Sequence, residues 1–228
     1  RDVEFRNSIP KDLVLKLSIN NKVSTLEEVV FLYEYNAIRN FILDRSVNRN
    51  MEELTRIHEW RSDKPGVTLT LLAQEGCISR CPWKATCDNM IATFHQYDEH
   101  EVNDMKAQHS THFCTAHYTN HPQDMLKSPW ITPGGVRLYE NMVDYIKLAG
   151  RMQPIGPLSK TFDAYINQDE RIDLSDILTI HSGSVLSIST VMDLEINGYS
   201  AKVSNCKNKC ADCDFCDKLY NKLYDENR

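Results

Sequence analysis

The chain has 228 residues, 41% of them hydrophobic and 25% charged, with a formal net charge of -6. That length and apolar share suit one sizeable core with at most a small appendage. The acidic balance excludes an extended basic face as the main working surface, though RNA stays open as a substrate.

No run approaches the roughly 18 to 20 apolar residues of a membrane helix, and no charged-then-apolar leader opens the chain. A cytoplasmic protein without membrane contact is expected. The first residue is Arg1, which points to upstream sequence that is missing or removed.

In chain order, residues 13–19 (LVLKLSI) alternate apolar and polar side chains and predict a strand. Ser24 and Thr25 precede LEEVVFLYEY, a hydroxyl cap followed by acidic residues in the first turn of a helix. Residues 38–43 (IRNFIL) predict a second strand, and MEELTRIHEW a second helix capped by Asn50. A third strand, 67–73 (VTLTLLA), runs directly into Gln74, Glu75, Gly76 and Cys77. Residues 78–127 are polar, rich in Cys and His and without a clean period, a loop too long to be an ordinary connection. Then come the turn Pro133-Gly134-Gly135, a short helix in VRLYENM and a strand over 143–150. Beyond Pro157, SKTFDAYINQ predicts a helix, and 177–189 (ILTIHSGSVLSIS) reads as a strand or an irregular cover.

Strand and helix alternate about every 25 residues at first, which favours a parallel sheet wrapped by helices. The expected class is α/β, TIM-barrel-like, a partial barrel of about four or five parallel strands, because a closed barrel commonly takes about 250 residues. Residues 1–157 would form that partial barrel with its Cys/His-rich loop 78–127, and 158–228 a C-terminal extension ending in a cysteine motif at 206–216.

The eight cysteines fall in two places, which suits metal binding better than a disulfide framework. Cys206, Cys210, Cys213 and Cys216 stand in C-x3-C-x2-C-x2-C spacing, four soft thiolate ligands for an iron–sulfur cluster or tetrahedral zinc. The first three also match the spacing of radical S-adenosylmethionine enzymes, but too little chain follows Cys216 to build that cofactor site. The second set is Cys77, Cys81 and Cys87, within EGCISRCPWKATC, with Cys114 more distant. Cys87 is the member that also reads as a small buried hydrophobe.

Six of the eight histidines lie between His95 and His121, and His112, His117 and His121 flank Cys114. They could supply zinc ligands or a proton relay. No H-E-x-x-H motif, P-loop or nucleophile elbow is present. Cations at strand ends, Arg45, Arg49, Lys127, Lys147 and Arg151, would bind an anionic substrate at the mouth of a barrel, against the plain alternative of surface ion pairs.

FILDRSVNRN, LLAQEGCISRCPW, LKSPWITPGG, YIKLAGR and the cysteine-rich tail, in that order, resemble peptidase family U-32 over residues 13–216. The resemblance implies a TIM barrel and, despite the collagenase-like peptidase name, an oxygen-independent hydroxylase whose four cysteines hold a 4Fe-4S cluster. In the ubiquinone-pathway and RNA-modifying relatives the hydroxyl is thought to come from prephenate. Cys77, Cys81, Cys87 and Cys114 would be the ligands here. The first pair lies closer together than in those relatives, and the family's opening strands are not found before Leu13, so a partner chain or missing segment would complete the barrel.

The leading expectation is therefore an iron–sulfur enzyme or subunit, with one or two 4Fe-4S clusters, modifying a small molecule, RNA base or peptide. A U-32-type peptidase and a non-catalytic scaffold with zinc in the tail are the rivals.

Overall fold

In the computed structural model of the chain, the residues described are 8, 10, 13–93, 111–150, 154–178 and 190–226. Four strands form one sheet: β1 (Lys16–Leu17), β2 (Asn40–Ile42), β3 (Thr68–Leu72) and β4 (Tyr145–Lys147). They pair in the order β1-β2-β3-β4, every pair parallel, with Asn40 opposite Thr68 and Thr70 opposite Tyr145. Each strand lies beside its successor in sequence. That is consistent with part of a barrel and differs from a doubly wound sheet, whose strand order reverses.

Helix α1 (Leu26–Asn36) starts at Thr25, whose hydroxyl accepts from the Glu28 amide while the Glu28 carboxylate accepts from the Thr25 amide, the capping box expected there. Helix α2 (Met51–Arg61) starts at Asn50, whose side chain accepts from the Glu53 amide. Glu53 also reaches across to the Leu26 amide at 2.7 Å, tying the two helix starts together.

The period of two along the strands assigns their faces. Phe41, Leu43, Leu69, Leu71 and Ala73 point into the main core with Val29, Leu54 and Ile57 of the helices. Ile42 and Leu72 point the other way and meet Ile19 in a small separate cluster. Two buried faces explain why β3 reads as a nearly continuous apolar run.

The segment 78–127, expected as one long Cys/His-rich loop, contains among its described residues α3 (Lys84–Thr93), α4 (Thr111–Asn120) and a 3-10 turn at Pro122–Lys127. The first strand is shorter than expected, two paired residues at an edge with one neighbour, followed by a 3-10 turn at Ile19–Asn21. The helix expected in VRLYENM is a 3-10 turn over Gly134–Tyr139. Its glycines sit under tight cover: a side-chain carbon at Gly134 would collide with the Glu170 carboxylate.

C-terminal to β4 come α5 (Ile155–Asn167), α6 (Leu174–Ile177), α7 (Val191–Ile196), α8 (Tyr199–Val203) and α9 (Phe215–Glu226). Ala164, Leu174, Val191, Tyr199 and Leu223 join the same core as Leu54 and Leu69, so the extension packs on the sheet-bearing part. The possible strand at 177–189 begins instead with the end of α6, and the rest lies outside the described residues. Among the described residues no helix is long and apolar enough to cross a membrane.

Candidate metal and substrate site

Beyond β3 the chain continues through Ala73 and the buried Gln74 and Glu75 to Cys77. The Glu75 carboxylate pairs with Arg45 Nε and lies 3.4 Å from Lys84 Nζ, and the Cys77 thiol donates to its Oε1 at 3.0 Å. The backbone here is pinned from α4 and from the end of the 3-10 turn that follows it. Tyr118 donates from its hydroxyl to the Gly76 carbonyl at 2.9 Å, and Ser128 Oγ donates to the Cys77 carbonyl at 2.6 Å. Cys114 lies four residues before Tyr118 and so shares its helix face, which turns the thiol toward the pinned loop.

Cys81 closes a turn on the Ile78 carbonyl, and Cys87 lies in the first turn of α3. Charge on Cys87 and Cys114 is felt at Cys77, and charge on Cys81 and Cys87 at Cys114, so the four thiols share one neighbourhood. Burial pushes the Cys77 thiol up to about 11, against the opposing pull of Lys84 and Arg45.

A cleft of ≈ 430 Å³ opens beside this loop, its wall including Lys22, Arg45, Cys77, Arg80, Cys81 and Lys84. It lies off the C-terminal ends of β2 and β3, where parallel-strand folds place their ligands.

The tail cysteines form a second group. Cys206, Cys210, Cys213 and Cys216 line one small pocket with Lys127, Lys202 and Lys209. Burial pushes the Cys216 thiol up to about 12, with Arg49 pulling the other way, and its sulfur contacts the Leu126 carbonyl at 3.6 Å. The two groups adjoin: the Lys207 amide donates to the Arg49 carbonyl at 2.7 Å, and Ser79 reaches Asn208 at 3.5 Å. Lys207 and Asn208 both have left-handed backbones, φ 52°, a conformation costing of order 1 kcal/mol per non-glycine residue.

All eight cysteines are described, and no disulfide joins any of them. The sulfurs of each quartet are neighbours rather than a closed shell: among the described residues no three His, Cys, Asp or Glu side chains are set around one point as ligands of a metal ion. The donor chemistry fits a soft group, four sulfurs with cations nearby and no hard-oxygen cage.

Of the expected anion-binding residues, Arg45 lines the cleft, held by Glu75. Arg49 is a correction to a surface reading. It is 1% exposed, and its Nη2 donates to the carbonyls of Leu126 and Ser128 and to the Tyr199 hydroxyl. Lys127 lies at the tail pocket between Asp124 and Asp217, both at 2.8 Å. Lys147 ends β4 with an exposed side chain. Arg151 and the side chain of His112 lie outside the described residues. His117 Nε2 meets Asp124 Oδ2 at 2.8 Å, and the His121 ring lies tilted against that of His117 with centroids 5.1 Å apart. Arg80 and Lys84 line the cleft without having been expected, although the signal was there: both are cations interleaved with the cysteines of EGCISRCPWKATC.

No family model matches the chain, and no solved structure matches it. The chain is similar to a Methanocaldococcus jannaschii protein named as an uncharacterized protease, 24% identical over 202 residues, which is 88% of this chain and 57% of that protein. The chain thus spans little more than half the length of the curated relative it matches. This likeness supports a U-32-type peptidase family relationship for the chain.

Proposed function

We propose that the chain is part of a U-32-type enzyme on a TIM-barrel-like scaffold, in which Cys77, Cys81, Cys87 and Cys114 hold a 4Fe-4S cluster. The cleft beside them would receive an anionic small molecule, RNA base or peptide for an oxygen-independent, hydroxylase-type modification. The observation carrying this reading is the gathering of thiols from a loop and two helices at the C-terminal end of β3, against a cleft walled by Lys22, Arg45, Arg80 and Lys84. Such a cluster supplies an electron path or an open iron as Lewis acid. The chain's own cations would orient the substrate's negative charge, and Glu75 would hold Arg45 and Lys84 in place. Strands beyond this chain, or a partner, would complete the scaffold. Anaerobic purification should give iron and acid-labile sulfide in equal amounts with visible absorption, reduced by Cys77→Ser; zinc alone would sink the cluster reading and favour a metal-binding scaffold.

The named relative favours a second reading, peptide hydrolysis. His117 oriented by Asp124 is the base half of a hydrolytic arrangement, with Cys114 one helical turn earlier as the thiol it would serve. Peptidase activity that survives iron removal but is lost in both Cys114→Ser and His117→Ala would establish this reading over the first.

A further inference from the structure

Arg49 is the most deeply buried cation described, and its hydrogen bonding is one-sided. All three acceptors, two carbonyls and the Tyr199 hydroxyl, are served by Nη2. Nε and Nη1 are buried with no hydrogen-bond partner. Among the described residues no Asp or Glu pairs with it in an ion pair. A guanidinium does not shed its proton, so the chain carries a permanent positive charge in its core where a neutral methionine would fill similar space. Pinning carbonyls at 126 and 128 accounts for one nitrogen of the fork and leaves the charge without a counter-ion.

Geometry ties it to the tail cysteines: the Leu126 carbonyl accepts from Arg49 Nη2 at 3.2 Å and from the Cys216 thiol at 3.6 Å, and the Arg49 carbonyl accepts from the amide of Lys207, the residue after Cys206, at 2.7 Å. Buried free thiols are neutral at ordinary pH, but as metal ligands they are thiolates. Four thiolates on a divalent ion, or on a 4Fe-4S core of the same charge, leave a net double negative charge in a partly buried pocket. We propose that Arg49 is the charge-compensating residue of a metal centre held by Cys206, Cys210, Cys213 and Cys216, its spare N–H groups supplying the buried positive charge that a thiolate-bound centre requires. This rests on the reading of the tail quartet as a metal site. It holds for iron and zinc alike, because both give the same excess charge.

The test uses the full chain with Cys81→Ser and Cys114→Ser, so that only the tail can close a four-thiolate site, and titrates it with Co²⁺, whose thiolate complexes absorb in the near ultraviolet. Arg49→Met should weaken Co²⁺ binding 10- to 100-fold, the usual cost of losing an outer-shell partner. Arg49→Lys should recover part of the loss by keeping the charge. Tyr199→Phe removes a hydroxyl but no charge, and should lower stability with little change in affinity. Equal affinity in Arg49→Met and the parent would overturn the proposal while leaving the tail site standing. No thiolate absorption in the parent, or absorption unchanged by Cys206→Ser with Cys210→Ser, would remove the site and the proposal together. If the Arg49 variants do not fold, the parent itself answers: in the ¹⁵N-labelled chain, a water-protected arginine Nε–H resonance should shift on Zn²⁺ loading, and an unmoved resonance overturns the proposal.

Discussion

Beside Cys77 two cations, Arg45 and Lys84, share one buried carboxylate, whereas the cation buried nearest Cys206 and Cys216 pairs with none. Arg45 and Lys84 share Glu75, and Lys84 also meets Asp88, so these two cations are paired before any ligand arrives, while Lys22 and Arg80 also line the cleft. The tail group draws four cysteines from eleven consecutive residues against the buried Arg49, and its balance would come from its own sulfurs. The rim faces an open cleft of ≈ 430 Å³, the tail a pocket of ≈ 30 Å³. A site that must admit substrate and one that only holds a centre would differ in this way.

The largest effect that sharpens this contrast is in thiol reactivity. In the metal-free folded chain, the thiolate fraction at pH 8 should fall by on the order of 1,000-fold at Cys216 and 100-fold at Cys77 relative to ordinary cysteines, since burial moves them from 9.0 to about 12 and about 11. Iodoacetamide labelling followed by mass spectrometry, compared with the urea-unfolded chain, measures both rates. Folded-state rates equal to the unfolded ones would break the account of both pockets.

A smaller effect makes the rim resemble the tail. Glu75→Gln leaves Arg45 and Lys84 near Cys77 without their shared anion, and should cost about 3 kcal/mol in urea denaturation, the low end for breaking a buried pair. Because the Cys77 thiol donates to Glu75, the same change should let it ionise more readily and label faster. A stability loss with unchanged Cys77 labelling would mean that Glu75 does not govern that thiol.

The scaffold was readable where one physical signal dominated. The short apolar runs IRNFIL and VTLTLLA placed β2 and β3, and the hydroxyl and amide caps at Thr25 and Asn50 fixed the starts of α1 and α2. Helices α3 and α4 escaped because they carry no apolar stripe: described inward side chains of α4 are Cys114 and the hydrogen-bonded Tyr118, a thiol and a phenol where a periodic pattern needs aliphatic residues. The cysteine groups were visible from spacing, but the roles of the cations were not. Arg45 and Arg49 are four residues apart after the same strand, and only tertiary packing puts one on the cleft and the other in the core. Nothing local in RSVNR marks the difference.

The smallest effect concerns the joint between the two groups. Asp124 accepts from His117 on the rim side and pairs with Lys127, which also holds Asp217 of α9 on the tail side. Burial works to raise the Asp124 carboxyl, but the hydrogen bonds from Lys127 and His117 outweigh it and hold the group below its usual value of 3.8. A depressed carboxyl stabilises the fold at neutral pH, above its unfolded value, and that contribution is lost as pH falls below about 4. Asp124→Asn should therefore cost about 1.5 kcal/mol at pH 7, the low end for a hydrogen bond to a charged group, and should flatten the fall of melting temperature between about pH 5 and 2. Lys127 keeps Asp217 in the variant, so α9 stays anchored while His117 loses its acceptor. The change should reach Cys114 on the same helix as His117 and spare Cys216. Parallel acid profiles for variant and parent, or equal disturbance of both thiols, would show that Asp124 is not the element through which the rim and the tail are held apart.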